Sequence, residues 1–254
     1  MKSEAIRRLL SSIQQKFKVH FYLSIMVTYY KMTQIIRLTV SVNQSDTLDA
    51  SIKCNRPFIN SSIIITDLSD ISTMRTCVTN NVTCRITDKL HINGAPFNKG
   101  AAYKSVQKLL HRDTSMQGKY LLLLDADICI PRKWWVEILL NLPQTPHSLL
   151  SMTERCIFLL PSDVSKRRYK IKSLPNITTL GFFQLYKIDS NSPLYPSTFP
   201  TAAVSDKVFG NKFIRSKRIS FGRAVHMGAT HHWSGQAEKK QNWSSVVQHM
   251  PSEC

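Results

Sequence analysis

Two aspartates, Asp125 and Asp127, stand one residue apart at the end of a short apolar run, residues 120–124. Such a run, followed soon by Pro131, predicts a buried strand. Because side chains alternate between the two faces of a strand, both carboxylates are expected to point the same way. Two like charges on one buried face are costly unless a positive partner lies between them. A metal ion, a lysine or arginine, or water at an open strand end could fill that role.

Alternating strands and helices are predicted around these aspartates. Strand patterns occupy residues 34–42, 62–67 and 82–88, with helical segments between them and a further helix from about Lys99. This alternation predicts an α/β fold with a mostly parallel central sheet flanked by helices. In such sheets, ligands bind at the carboxyl ends of the strands. Four aspartates stand at predicted strand ends of that kind: Asp67, Asp88, Asp125 and Asp127.

The periodicity weakens after Asn141. Residues 143–180 show no clear period, whereas residues 181–187 and 223–228 predict two more strands, and a helix is predicted from about Ser205. No stretch has the composition of a linker between domains, so the sequence predicts a single domain.

The order of these motifs resembles that of GT-A-type nucleotide-sugar glycosyltransferases, in particular the small single-domain enzymes similar to family 2. The resemblance runs from about Gln34 to Gln236. It implies one GT-A (Rossmann-like) domain over residues 34–236, an N-terminal amphipathic and basic extension over residues 1–33, and a C-terminal tail over residues 237–254. The motifs that carry it are NQSDTLD, SIIITD, FNKGAA, LLLLDADICIP, GFFQLY, SDKVF, and VHMG followed by HHWSG.

The resemblance implies a metal site and a nucleotide site. Asp125 and Asp127 match the D-x-D motif, which holds a divalent cation and, through it, the donor diphosphate, and His226 matches a late histidine that often completes the metal site. Carboxylate and phosphate oxygens suit Mn2+ or Mg2+, and an imidazole ligand favours Mn2+. Asp67 matches a position that accepts a hydrogen bond from uracil, which favours a UDP-sugar. From the residues alone, His226 could also be a buried structural histidine and Asp67 a turn cap.

Further site residues follow from the same resemblance. Asn98 and Lys99 lie at a helix N-terminus that faces the nucleotide, where free N–H groups and the helix dipole suit a phosphate or carbonyl oxygen. An ordinary helix cap is the alternative. Gln184 and Trp233 match positions on the acceptor side.

Asp206 matches the place of the general base in inverting enzymes, where the acceptor hydroxyl must lose a proton as it attacks. A helix N-terminal cap is the alternative for this residue. Related sequences usually carry another acidic residue a few positions earlier, but residues 202–204 are Ala-Ala-Val. A catalytically impaired GT-A-fold module that only binds nucleotides therefore remains open.

The formal net charge of +18 favours anionic partners such as phosphorylated substrates, acidic lipids or nucleic acid. Basic stretches at residues 166–172 and 207–223 could attract the anionic donor or an acidic acceptor. Nucleic acid is not expected, because no nucleic-acid-binding motif is present. An aspartate-type phosphatase is a further, less favoured alternative, because the acidic pair it needs downstream is missing. Residues 1–20 predict an amphipathic helix that docks on its own domain or makes a peripheral membrane contact.

Six cysteines are scattered without a C-x-x-C motif, which favours reduced thiols and a cytoplasmic protein, with association at a membrane surface as an option. Residues 21–30 are too short an apolar stretch to span a bilayer. The resemblance to GT-A-type enzymes thus implies a metal-dependent, inverting glycosyltransferase that moves a sugar from a nucleotide-diphosphate donor to a hydroxyl group of a glycan, lipid or protein.

Overall fold

The computed structural model describes residues 33–91, 97–173, 181–198, 202–228 and 242–251. The strands are β1 (Ile35–Val40), β2 (Ser61–Thr66), β3 (Thr83–Ile86), β4 (Tyr120–Leu124), β5 (Ile128–Cys129), β6 (Leu149–Ser151), β7 (Glu154–Phe158), β8 (Lys170–Ser173), β9 (Phe183–Lys187), β10 (Arg218–Ser220) and β11 (Arg223–Met227). The α-helices are α1 (Ser45–Asn55), α2 (Ile71–Thr79), α3 (Lys99–Arg112), α4 (Arg132–Leu140), α5 (Pro161–Ser165) and α6 (Ala202–Gly210).

The main sheet has seven strands in the order β10-β6-β9-β4-β1-β2-β3. Strand β1 lies parallel to both β2 and β4, and β2 lies parallel to β3, whereas β9 is antiparallel to β4 and β6. The predicted α/β class with a mostly parallel sheet is therefore confirmed. Because both faces are covered, the central strands are apolar on both sides, and residues 121–124 of β4 are all fully buried.

A second sheet of four strands, in the order β5-β11-β7-β8, was not predicted. It explains the irregular pattern of residues 143–173, because β6, β7 and β8 are short strands of two different sheets and the short helix α5 interrupts them. Strand β5 starts directly after Asp127 and pairs with β11, which carries His226. The second sheet thus brings β11 and His226 next to the aspartate motif.

Asp125 and Asp127 lie in a turn between β4 and β5 rather than within a strand. The apolar run that the sequence predicts as one strand is divided in two at these residues, since β4 belongs to the main sheet and β5 to the second. The alternation of side chains along a strand therefore does not decide where the two carboxylates point.

Cys54 at the end of α1 and Cys129 in β5 form a disulfide, with their Cα atoms 5.8 Å apart. The prediction of reduced thiols is wrong for this pair, because the fold places two cysteines side by side that lie 75 residues apart in the chain. Cys156 belongs to the same buried cluster. Cys77 does behave as a small buried hydrophobe with a free thiol.

The described residues from Ile35 onward belong to one compact unit. Within the described part of the chain, no helix is long and apolar enough to cross a membrane. The predicted amphipathic helix at residues 1–20 and the HHWSG motif with Trp233 lie outside the described residues. The predicted division into extension, domain and tail stays a prediction.

Candidate active site

Asp125 and Lys99 form the centre of the candidate site. Asp125 directly follows β4, and its backbone N–H donates to the Phe182 carbonyl oxygen at 3.1 Å. Lys99 is the first residue of α3, and its Nζ donates to Asp125 Oδ1 at 2.6 Å. The positive partner that the paired aspartates require is therefore, for Asp125, a lysine of the FNKGAA motif. The Lys99 side chain thus contacts a carboxylate of the protein.

The Lys99 ammonium also lies 3.6 Å from Asp206, so it stands between two carboxylates. The Lys99 and Asp206 side chains are each only 10% exposed, while that of Asp125 is 34% exposed. Burial alone would lower the pKa of Lys99, but the neighbouring carboxylates of Asp125 and Asp206 hold it well above its ordinary value. Burial raises the pKa of Asp125 above its ordinary value despite the opposing effect of Lys99. Lys99 is thus a permanent buried cation.

Asp206 lies inside α6 rather than at its N-terminus, so the helix-cap alternative for this residue is wrong. Its Oδ1 accepts a hydrogen bond from the Tyr195 hydroxyl. Gly181 packs so closely against Asp206 that a Cβ atom there would collide with the Asp206 carboxyl group, and this explains the glycine of the GFFQLY segment. Gln184 is fully buried, and its Nε2 donates to the Asp206 backbone carbonyl at 3.2 Å. Gln184 therefore supports Asp206 from inside the protein.

Asp127 forms a second pair, with His226. His226 Nε2 lies 2.7 Å from Asp127 Oδ2, and the Met227 backbone N–H donates to the Asp127 carbonyl at 2.9 Å. Burial would raise the pKa of Asp127, but the adjacent imidazole and hydrogen bonds hold it below its ordinary value. On the other side of the ring, Arg155 Nη1 lies 3.5 Å from His226 Nδ1. A histidine from β11 and an arginine from β7 thus surround the second aspartate.

The donor set of two carboxylates and an imidazole suits a divalent cation chemically. In the described ranges, however, no group of three or more His, Cys, Asp or Glu side chains is arranged to hold a metal ion. Each aspartate is instead paired with a nitrogen group, Asp125 with Lys99 and Asp127 with His226. The residues fit a cation in type, and in their present arrangement each carboxylate contacts a nitrogen group of the protein.

Asp67 and Asn98 both stabilise local backbone structure. Asp67 Oδ1 accepts from the Ser69 backbone N–H at 2.7 Å, and His91 Nε2 lies 3.2 Å from its other oxygen. Asn98 is the N-cap of α3, where its side chain accepts from the Ala101 backbone N–H at 2.8 Å. The turn-cap and helix-cap interpretations are confirmed for these two residues, and their predicted contacts with a nucleotide stay predictions.

Arg37 is a charged residue of the site that the sequence analysis missed. It is fully buried in β1, where Nε donates to Thr39 Oγ1 at 2.7 Å and Nη2 to Ser51 Oγ at 3.0 Å. Burial lowers the pKa of Arg37 to about 10, although Tyr103, Asp125 and Asp127 oppose this effect. The signal was present in the sequence, since an arginine within the apolar strand IIRLTV must be buried at great cost.

The Arg37 network reaches the backbone on both sides of the aspartate turn. Thr39 Oγ1 donates to the Leu124 carbonyl at 2.7 Å, and Ser51 Oγ donates to the Ile128 carbonyl at 2.6 Å. Asn55 binds the same Ile128 carbonyl at 2.9 Å and accepts from the Ile130 N–H at 3.0 Å. Side chains of helix α1 and strand β1 therefore fix the backbone on both sides of the turn through hydrogen bonds.

Comparison with known proteins adds evidence on the fold. No family model matches the chain, and no curated protein matches its sequence. A solved structure of glucosyl-3-phosphoglycerate synthase from Mycobacterium tuberculosis, in complex with Mn2+, UDP-glucose and phosphoglyceric acid, matches with a TM-score of 0.50 at 12% identity, over 83% of this chain and 79% of that chain. A mycobacterial protein matches with a TM-score of 0.49 at 15% identity, over 80% of this chain and 70% of that chain. At 12% identity and a TM-score of 0.50, the likeness to the M. tuberculosis enzyme shows the fold alone.

Proposed function

We propose that this protein is a glycosyltransferase that moves a sugar from a nucleotide-diphosphate donor, with a UDP-sugar favoured, to a hydroxyl group of a glycan, lipid or protein. The observation that carries the proposal is the buried cluster of Asp125, Lys99 and Asp206 beside the Asp127–His226 pair, at the carboxyl ends of β4 and β11. The fold supports it, because the M. tuberculosis enzyme of the same fold was solved with Mn2+ and UDP-glucose. Ligands of open α/β sheets bind at this edge.

Asp125, Asp127 and His226 would hold Mn2+ or Mg2+. A bound divalent cation would neutralise the charge on the departing diphosphate. Asp67 and Asn98 would lie on the nucleotide side, as the sequence predicts.

Asp206 would accept the proton of the acceptor hydroxyl, with inversion at the anomeric carbon. Its carboxylate is buried and fixed in place by Tyr195 and Lys99, and such orientation suits a general base. Trp233 remains a predicted acceptor-side residue.

A nucleotide-binding module without transferase activity is the second candidate. The same contacts favour it, because both Lys99 and the Tyr195 hydroxyl already engage the Asp206 carboxylate. An acceptor hydroxyl would have to replace one of them.

Thermal unfolding with UDP or GDP, each with and without Mn2+, tests the proposal. A ligand at a hundred times its Kd stabilises the native state by about 2.7 kcal/mol, which raises the Tm measurably. The wild type should respond to one of the nucleotides with Mn2+, and the Asp125→Ala/Asp127→Ala variant should not. Asp113→Ala, at an exposed carboxylate, is the matched control. A wild type that responds to neither nucleotide, or a double variant that responds as the wild type does, would contradict the metal–nucleotide site.

Release of UDP in the presence of a hydroxyl acceptor separates the two candidates. Asp206→Asn should keep the nucleotide-dependent rise in Tm and lose sugar transfer. Nucleotide binding without any transfer or donor hydrolysis by the wild type would favour the non-catalytic module.

A further inference from the structure

Lys99 competes with a metal ion for Asp125. The ammonium group is 2.6 Å from Asp125 Oδ1, the distance of a strong charge-assisted hydrogen bond. A divalent cation bound by the same carboxylate would be repelled by this nearby ammonium group. Loss of the Lys99 contact with Asp125 would therefore favour binding of the metal ion.

Asp206 offers the displaced ammonium a second position. Lys99 Nζ is already 3.6 Å from Asp206 Oδ1, so a movement of about 1 Å would bring it to hydrogen-bond distance. The Asp206 side chain is as buried as Lys99 itself, and Tyr195 keeps its carboxylate in place. When the Lys99 ammonium group leaves Asp125, Asp206 would thus neutralise it inside the protein. Lys99 would not need to move into water.

We propose that Lys99 is a positioning residue that exchanges partners, from Asp125 to Asp206, when a divalent cation binds at Asp125 and Asp127. This inference rests on the proposed function and extends it. Lys99 weakens metal binding by competing for Asp125, and Asp206 strengthens it by accepting the lysine. Metal binding on one side of the site is thereby coupled to the contacts of the predicted base on the other side.

Substitutions of the two residues should shift metal affinity in opposite directions. Mn2+ binding is measured at pH 8, with and without UDP, from the electron paramagnetic resonance signal of free Mn2+. It should be on the order of tenfold tighter in Lys99→Met, because a like charge a few ångströms away is removed. It should be several-fold weaker in Asp206→Asn, because Lys99 is then held by Asp125 alone. Lys104→Met removes a lysine from the next turn of α3 that contacts Ser197 and should change nothing.

The opposite signs distinguish the exchange of partners from a purely structural role, which would loosen the site in both variants. Circular dichroism verifies folding, and Asp206→Asn carries the test if Lys99→Met does not fold. Suppose that the wild type binds Mn2+ and UDP. Mn2+ binding that is unchanged or weaker in Lys99→Met, or tighter in Asp206→Asn, would then overturn the inference about Lys99 and leave the proposed function intact. Absence of both Mn2+ and UDP binding in every protein would overturn the proposed function as well.

A second observation concerns the tip of the β7–β8 hairpin, residues 159–168. Strands β7 and β8 pair antiparallel, and the tip joins them through α5 at the edge of the second sheet. Leu159 and Leu160 are 50% and 48% exposed, an unusual amount for two consecutive leucines. One acidic residue, Asp163, accompanies five exposed basic residues in the tip and β8: Lys166, Arg167, Arg168, Lys170 and Lys172.

This combination fits an anionic lipid surface. Asp163 offsets one of the five basic charges, because its carboxylate lies 3.5 Å from Arg168, and it also accepts from the Leu160 N–H. Exposed leucines beside clustered lysine and arginine bind membranes by burying apolar area and attracting acidic headgroups at once. The tip also lies near the candidate site, since Phe158 pairs with Met227, the neighbour of His226.

We infer that the tip docks on an anionic membrane, which would place the candidate site next to the lipid surface. The full chain should sediment with vesicles of phosphatidylcholine plus phosphatidylglycerol and not with phosphatidylcholine alone. Leu159→Ser/Leu160→Ser should weaken that binding on the order of tenfold, from the apolar area lost. Lys166→Ser/Arg168→Ser should weaken it more than Lys207→Ser/Arg215→Ser, which removes the same charge from another exposed basic stretch.

Three results would overturn this second inference. They are failure to bind anionic vesicles, unchanged binding in the leucine variant, and equal losses in the two charge variants. The last two would indicate a contact elsewhere in the chain, such as residues 1–20, or attraction to any polyanion.

Discussion

Replacement of Arg37 by methionine should make the protein more stable. Burial lowers the pKa of Arg37 to about 10, and a fall of that size from the ordinary value costs about 3 kcal/mol in the charged, folded state. Methionine has a similar length and needs no hydration. Thr39 and Ser51 lose a donor, yet both hydroxyls keep their own bonds to the carbonyls of Leu124 and Ile128, so this loss should cost about 1 kcal/mol. The net expectation is a gain of about 2 kcal/mol.

Urea unfolding at pH 7 measures this gain as a rise in the midpoint at an unchanged slope. Arg37→Lys is the control, since it keeps the buried charge and loses the two-pronged contact with Thr39 and Ser51, and it should be less stable than the wild type. The stabilised methionine variant should bind the anionic nucleotide less well, because Arg37 is a positive charge near Asp125 and Asp127. A methionine variant less stable than the wild type would refute the view that the arginine is retained at the expense of stability.

Reduction of the Cys54–Cys129 disulfide should lower the free energy of unfolding by about 4 kcal/mol, because the bond closes a loop of 75 residues in the unfolded chain. Urea unfolding with and without a phosphine reductant measures this loss. Cys77→Ser, the control, should respond to the reductant as the wild type does. A Cys54→Ser variant that still loses stability on reduction would contradict the Cys54–Cys129 pairing. Although burial opposes it, hydrogen bonds from Thr73, Ser72 and the Asn43 N–H hold the pKa of Asp70 below its ordinary value. Since its folded pKa is depressed, Asp70 stabilises the protein above about pH 4 and loses that effect as the pH falls further. Asp70→Asn should therefore lose less stability than the wild type between pH 7 and pH 3, and an equal loss in both proteins would show that Asp70 contributes nothing to the acid dependence.

The main sheet could be predicted because each of its elements has a local signal. Strands β1 and β2 are rich in isoleucine and other β-branched residues, and α3 begins at the predicted Lys99 with Asn98 as its cap. Such patterns depend on burial and backbone capping, which are properties of neighbouring residues.

The contacts of the site could not be predicted in the same way. The partner of Asp125 is 26 residues away and that of Asp127 is 99 residues away. The resemblance of motifs placed Asp125, Asp127, Asp206 and His226 on a common site, and it did not indicate that Lys99 would bridge two of the carboxylates. The second sheet escaped prediction for a related reason, since β5 has only two residues and no period of its own.

The pairing of β5 with β11 also determines when the site can form. The Asp127–His226 contact joins residues separated by 99 positions, and contacts of such separation are slow because the loop between them must close first. At ribosomal speeds of about 5–20 residues per second, His226 leaves the ribosome several seconds after Asp127. During that interval the nascent chain can build the parallel part of the main sheet while the aspartate turn still lacks its histidine. Competence to bind a ligand at this turn is therefore acquired only after His226 has been synthesised, when the parallel strands β1 to β4 can already be in place.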